Sequence, residues 1–138
     1  MTDKNLERMQ MHTLCFNGKN ITIQVVNTSL LETDVDAIVN AANEGMRGGG
    51  GIDGAIHSKA GVELYRALEQ EAPRGCPTGE IVVTPGFGTG YKYILHTPGP
   101  RWEGGFSNEP ELLENCYWNS MNEANMLEVS SIGFCSIS

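Results

Sequence analysis

The chain has 138 residues, of which 40% are hydrophobic, and its formal net charge is −8. This length and apolar content predict one folded domain over residues 1–138. The acidic balance argues against general nucleic-acid binding, which depends on basic patches. No apolar run approaches the roughly 18 residues that span a bilayer, and the charged start MTDKNLERMQ has no apolar secretion signal. We therefore expect a cytoplasmic protein with no membrane partner.

The first half of the chain predicts two strands and one helix. Residues 21–26 (ITIQVV) alternate as a strand does. Residues 36–40 contain a short apolar run that is typical of a central strand. Residues 53–70 read as one helix with a single apolar face, formed by Ile56, Ala60, Leu64, Ala67 and Leu68.

The second half predicts one long helix between strands. Residues 109–127 carry an apolar stripe, and Asn108 is expected to cap this helix, with Glu111 completing a capping box. Strands are expected at residues 80–84, 92–97 and 131–137. Helices that alternate with strands indicate a layered α/β domain with parallel strand pairs.

Four consecutive glycines, Gly48 to Gly51, lie between two asparagines and the predicted helix. Asn40 and Asn43 precede this run directly after a strand. Glycine allows a backbone to approach a ligand closely, and a helix N-terminus offers unpaired N–H groups to an anion. The segment therefore predicts a phosphate-binding loop with polar side chains beside it.

Two other interpretations of the glycine run are weaker. Gly49, Gly51 and Gly54 match GxGxxG, but that fingerprint follows its strand at once, and eight residues separate Ala41 from Gly50 here. No lysine follows the run, which excludes a Walker A loop. A purely structural glycine loop is the remaining alternative.

Asp53 and His57 are four residues apart, so in a helix they share one face. One interpretation is structural: an aspartate that caps the helix and a partly buried histidine. The other is catalytic, because an acid and a histidine beside a phosphate loop are able to position or activate a water. The residues alone leave both interpretations open.

The cysteines do not indicate a metal site. Cys15, Cys76, Cys116 and Cys135 form no CxxC pair and have no zinc-like spacing. We expect reduced thiols, no metal and no cofactor.

Four motifs together resemble the macrodomain family, which binds ADP-ribose. They are NAAN, GGGG, IDGAIH and HTPGPRW, and the similarity runs from about residue 21 to the C-terminus. The closest resemblance is to macrodomains that hydrolyse O-acetyl-ADP-ribose and mono-ADP-ribosylated acidic side chains. The resemblance implies a three-layer α/β/α sandwich on a mixed central sheet.

The resemblance also implies roles for individual residues. Asn43 is expected to contact the distal ribose and to contribute to catalysis, with Asn40 supporting the same site. Asp53 and His57 are implicated in hydrolysis. The diphosphate and distal ribose would be lined by Gly48, Gly49, Gly50, Gly51 and Ile52. His96 is expected to be structural.

The chain departs from the family pattern in two places. Asn27 stands where the family usually carries an aspartate that binds the adenine amino group, so Asn27 is the expected adenine contact. The family also continues into a second phosphate loop beyond a strand such as SIGFCSIS, which ends this sequence at Ser138. The resemblance therefore implies that the C-terminal part of the domain is missing, and a separate C-terminal remainder is an expected partner.

The function implied by the resemblance is hydrolysis of the ester bond at the distal ribose. The expected substrates are ADP-ribosylated acidic side chains of proteins and O-acetyl-ADP-ribose. The alternative is a non-catalytic module that only binds ADP-ribose. Asp53 and His57 favour the enzyme, since a binding module does not need both.

Overall fold

The computed structural model describes residues 10–138, in two compact units that divide after Glu32. The charged N-terminal residues 1–9 considered above lie outside the described residues. The first unit contains a two-stranded hairpin, and the second, Thr33–Ser138, contains a four-stranded sheet with three helices. The expectation of a single domain over residues 1–138 stays a prediction.

The hairpin of the first unit consists of β1 (Gln10–Phe16) and β2 (Lys19–Val25) in antiparallel register. Asn17 and Gly18 form its two-residue turn, with φ angles of 51° and 76°. An Asn-Gly pair favours this turn because both positions need positive φ. The strand predicted at residues 21–26 is confirmed with shifted bounds. Strand β1 was not predicted from the sequence.

The sheet of the second unit is mixed. Its strands are β3 (Ala37–Ala42), β4 (Val82–Pro85), β5 (Tyr93–Pro98) and β6 (Ile132–Phe134), in the order β4-β5-β3-β6. The central strand β3 runs parallel to both β5 and β6, whereas β4 is antiparallel to β5. This topology confirms the predicted α/β class and mixed sheet. The last strand is shorter than the 131–137 that was predicted.

Three helices pack against this sheet: α1 (Gly51–Ala60), α2 (Val62–Glu71) and α3 (Glu109–Met126). Helix α1 contacts β3, α2 contacts β4 and α3 contacts β5, which is consistent with the expected layers. Within residues 10–138, no helix is long and apolar enough to cross a membrane.

The prediction of one helix over residues 53–70 was wrong. Gly61 has φ 91° and ψ 178°, and its N–H donates to the carbonyl of His57 at 3.1 Å. A positive φ is readily accessible to glycine and ends the helix there. Most of the predicted apolar face is nevertheless buried, because Ile56, Leu64 and Leu68 have exposures of at most 1%.

The two faces of the sheet have different neighbours. Ala37, Val39 and Leu95 form a buried cluster with Cys116 of α3. Successive side chains of a strand point to opposite faces, so Ile38 and Asn40 of β3 lie on the face away from that cluster. The side chain of Asn40 therefore lies on the face opposite the α3 cluster, where it forms a hydrogen bond with Asp53 of α1.

The start of α3 does not have the predicted capping box. Asn108 is the N-cap, but its φ is 60° and its side chain makes no capping hydrogen bond. Instead, the buried carboxylate of Glu109 accepts hydrogen bonds from the N–H groups of Glu103, Gly105 and Ser107 at 2.7, 3.0 and 2.6 Å. These bonds lower the pKa of Glu109 to about 2 and hold the loop before the helix.

Glu109→Gln is expected to lower the melting temperature at neutral pH. A carboxyl whose pKa is depressed on folding contributes stability above its unfolded value, and loses it as the pH falls through the folded value. For Glu109 that range runs from 4.5 down to about 2. Thermal melts should therefore show a difference in melting temperature between wild type and variant that narrows as the pH falls through this range. Glu111→Gln, at an exposed position, is the control. An equal difference in melting temperature between wild type and Glu109→Gln at pH 2 and at pH 7 would contradict the stabilising role of the Glu109 carboxylate.

Candidate functional site

The site lies where parallel strands β3 and β5 end. Asn40 of β3 is in register with His96 of β5, and both side chains are completely buried. The chain leaves β3 and turns through Asn43 into the glycines that precede α1. Ligands of open α/β sheets commonly bind beyond the carboxyl ends of the strands.

Asp53 is the acidic centre of the site. It lies in the first turn of α1 and is 5% exposed. Its Oδ1 accepts a hydrogen bond from Asn40 Nδ2 at 2.8 Å. His57, one turn later on the same face, places its Nε2 3.4 Å from the same oxygen. The predicted acid and histidine are therefore close together, as their spacing implied.

Asn43 shapes the segment that leads into the glycines. Its Oδ1 accepts the N–H of Met46 at 3.0 Å, and its Nδ2 donates to the carbonyl of Gly48 at 2.9 Å. Met46 is buried with φ 58°, and Gly48 has φ 91°. One exposed side chain thus holds both ends of a tight turn.

The glycines allow the backbone to pass close to Asn43 and Asp53. A Cβ at Gly49 would lie 3.2 Å from Asn43 Nδ2 and 3.2 Å from Asp53 Oδ2, and a Cβ at Gly54 would lie 2.5 Å from the carbonyl oxygen of Gly49. At Gly50 a Cβ would meet no atom within 4 Å. Gly50 and Gly51, where an added Cβ meets no protein atom within 4 Å, therefore border open space, whereas a side chain at Gly49 or Gly54 would crowd the protein.

Helix α1 begins at this open space, with Gly50 as its N-cap and Gly51 and Ile52 as its first residues. The first N–H groups of an α-helix have no acceptor within the helix and carry its positive dipole end. This geometry suits the binding of an anion such as a phosphate.

An open cavity of about 600 Å³ borders His57 on the side of α1 and α2. Gly48, Gly49, His57 and Tyr65 are among its lining residues. His57 thus lines this cavity and also lies next to Asp53, which is not among the lining residues.

Arg47 also borders the cavity, but its guanidinium serves the fold. Nη1 donates to the carbonyl of Leu68 at 3.3 Å and Nη2 donates to the carbonyls of Ala72 and Pro73 at 3.1 and 3.4 Å. Nη1 also donates to the carbonyls of Gly45 and Met46. Arg47 therefore joins the segment before the glycines to the end of α2.

Behind Asp53, buried polar side chains continue into the sheet. Asn40 Nδ2 lies 3.1 Å from His96 Nδ1, and His96 Nε2 lies 2.9 Å from Thr84 Oγ1 of β4. Burial, and to a smaller extent His57, lowers the pKa of His96 to about 3, so this imidazole is neutral. Thr84 was not predicted as a site residue, although a threonine among the apolar residues of a buried strand was the available signal.

The structure brings together most of the residues predicted for the site: Asn40, Asn43, Gly48, Gly49, Gly50, Gly51, Ile52, Asp53 and His57. Their roles toward a ligand stay predictions. Asn27 belongs to the first compact unit, and its predicted adenine contact is likewise untested. Among residues 10–138, no group of three or more His, Cys, Asp or Glu side chains is arranged to hold a metal ion.

Comparison with known proteins identifies the family. The model of the macro domain matches residues 39–138. A macro domain-containing protein of Xanthomonas axonopodis pv. citri is 51% identical over 120 residues, which cover 84% of this chain and 67% of that protein.

Two solved structures of the Oceanobacillus iheyensis macrodomain are similar to this chain. One, with ADP, has a TM-score of 0.79 at 38% identity, and the matched region covers 95% of this chain and 70% of the chain in that structure. The other, a mutant with ADPR, has a TM-score of 0.82 at 36% identity, and the matched region covers 94% of this chain and 71% of the chain in that structure. The matched family model spans more than half of the sequence, and the fold and motifs agree with it. The chain therefore belongs to the macro domain family.

Proposed function

We propose that this chain binds the ADP-ribose group of a conjugate and hydrolyses the ester bond at its distal ribose. The substrates would be ADP-ribosylated acidic side chains of proteins and O-acetyl-ADP-ribose. The observation that carries the proposal is the buried Asp53 carboxylate, 3.4 Å from His57 Nε2, beside an open glycine segment at a helix N-terminus. Family membership and the nucleotide named for related structures support it.

Binding would depend on the backbone more than on charged side chains. The diphosphate would lie against Gly50 and the first N–H groups of α1, where there is open space. Backbone N–H groups bind phosphate oxygens without lysines, so the net charge of −8 does not oppose the proposal. The distal ribose would lie near Asn43, which leaves its ester bond close to Asp53.

In the chemical step, Asp53 would act as general base on a bound water. Asp53 accepts a proton from the water as the water oxygen attacks the acyl carbon. The bond from that carbon to the ribose oxygen then breaks, and the proton passes from Asp53 to the leaving ribose oxygen. The products are a free carboxylic acid and ADP-ribose. His57 would hold the Asp53 carboxylate and the water in position.

A second function, ADP-ribose binding without hydrolysis, is favoured by one observation. The hydrogen bond from Asn40 to Asp53 is internal, and only 5% of Asp53 is exposed. A structural aspartate that supports the glycine segment would look the same. Turnover of a mono-ADP-ribosylated protein separates the two functions, because a binding module releases no ADP-ribose.

Calorimetry tests the proposed ligand directly. ADP-ribose should bind at least about tenfold more tightly than AMP, because AMP lacks the second phosphate and the distal ribose, and each lost hydrogen bond to a charged group accounts for about 1.5–3 kcal/mol. A short single-stranded DNA is the control for general attraction of polyanions and should show no binding. Equal affinity for AMP, or for the DNA, would contradict the proposal.

A further inference from the structure

We propose that Thr84, His96 and Asn40 form a buried relay of hydrogen bonds that positions the Asp53 carboxylate. This inference rests on the proposed catalytic use of Asp53. The three are positioning residues, since none of them is expected to touch the reacting atoms. They come from three adjacent strands and are between 0% and 1% exposed.

The direction of the relay follows from the carboxylate. An ionised carboxylate only accepts hydrogen bonds, so the Asn40 atom that faces Asp53 Oδ1 at 2.8 Å must be the amide nitrogen. That nitrogen carries two hydrogens. One is donated to Asp53, and the other points to His96 Nδ1 at 3.1 Å. Nδ1 must therefore be the unprotonated nitrogen of the neutral ring.

The far end of the relay fixes this tautomer. With Nδ1 as acceptor, the ring proton is on Nε2, from which it is donated to Thr84 Oγ1 at 2.9 Å. Without that hydroxyl, the buried Nε2–H would lose its acceptor, and this tautomer would no longer be stabilised by a hydrogen bond at Nε2. The other tautomer has a proton on Nδ1, which opposes the amide hydrogens of Asn40.

Asn40 itself has a buried oxygen that indicates a fixed orientation. Within the part of the chain that the structure describes, Asn40 Oδ1 has no hydrogen-bond partner. Such a group is destabilising, and reversing the amide would place Oδ1 against the Asp53 carboxylate instead. Both amide hydrogens serve the relay, and the unpaired oxygen is the energetic consequence of that orientation.

The relay is the main restraint on the position of the Asp53 carboxylate. The titratable groups near Asp53 are His57 on its own helix and His96 behind Asn40. The glycine segment approaches Oδ2 through Gly49, which does not titrate. Removing the relay should therefore loosen the Asp53 carboxylate, since the hydrogen bond from Asn40 holds its Oδ1.

Nitrogen NMR of the wild-type protein provides the first test. The imidazole shifts of His96 should show a neutral ring protonated at Nε2 between pH 5 and pH 8. A ring protonated at Nδ1, or a charged ring, would overturn the relay without any substitution.

Thr84→Val provides the second test, with Thr84→Ser as its matched control. Valine has the shape of threonine without the hydroxyl, whereas serine retains the hydroxyl. We expect Thr84→Val to change the side-chain carbon shift of Asp53 at pH 7. We also expect kcat to fall about tenfold with KM within about twofold, because the hydrogen bond from Asn40 to the Asp53 carboxylate would be weakened. Thr84→Ser should restore both the shift and kcat.

The two measurements separate this inference from the proposed function. If the side-chain carbon shift of Asp53 changes in Thr84→Val but even the wild type shows no turnover, the relay stands and the proposed hydrolysis fails. If that shift is the same in the valine and serine variants, the relay is overturned, whatever the activity.

Discussion

Asp53→Asn is expected to lower turnover of a mono-ADP-ribosylated protein by about 10²–10⁴-fold, the usual contribution of a general base. The substitution is chosen because an amide oxygen accepts the hydrogen bond from Asn40 as the carboxylate does, so the local structure is retained. It removes the negative charge and the basicity that the proposed step needs. Single-turnover release of ADP-ribose at saturating enzyme measures the effect.

The affinity of the Asp53→Asn variant for ADP-ribose separates catalysis from binding. It should stay within about tenfold of the wild type, or roughly 1.4 kcal/mol. Glu69→Gln, which removes an exposed carboxylate on the next helix, α2, is the control for the change in net charge. Undiminished turnover in Asp53→Asn would exclude the general-base role and favour the binding module.

Gly50→Val is expected to weaken ADP-ribose binding by about tenfold to hundredfold, as for the loss of a hydrogen bond to a phosphate, about 1.5–3 kcal/mol. The reason is the open space at this position, where an added side chain meets no atom of the protein. The φ of Gly50 is −93°, so valine introduces no positive-φ strain. The branched side chain would instead occupy the space proposed for the diphosphate.

Gly54→Ala is the informative comparison for Gly50→Val. A Cβ there would lie 2.5 Å from the carbonyl oxygen of Gly49, so this variant should lose both melting temperature and affinity. Gly50→Val should lose affinity mainly, because a poorer N-cap accounts for only about 1 kcal/mol of stability. Calorimetry together with thermal melts distinguishes them. Normal affinity in Gly50→Val would place the phosphates elsewhere.

Long patterns in the sequence were sufficient to predict most of the fold. The strand around Ile38, the strand that contains His96 and the helix from residue 109 were all predicted, because each has an apolar run or an apolar stripe. The break at Gly61 was missed because the apolar face of α1 continues into α2 without a change of period. Strand β1 was missed although Asn17-Gly18 is a strong hairpin signal.

The site was predictable where its residues are neighbours in sequence. Asp53 and His57 are one helical turn apart, so their proximity follows from the helix alone. The bond between Asn40 and Asp53 depends on how α1 packs on β3, and the contacts of His96 with Asn40 and Thr84 depend on strand order and register. A single sequence does not contain that information, so Thr84 had no predicted role.

Arg47 has a consequence for the way the molecule opens. Its guanidinium joins the carbonyls of Gly45 and Met46 to those of Leu68, Ala72 and Pro73, which are more than twenty residues away in sequence. Local unfolding proceeds in cooperative units. The end of α2 and the entrance to the glycines therefore belong to one such unit, and fraying of that helix end would release the glycines as well. Lysine would not preserve this coupling, since a single ammonium group cannot span the carbonyls that a planar guanidinium reaches.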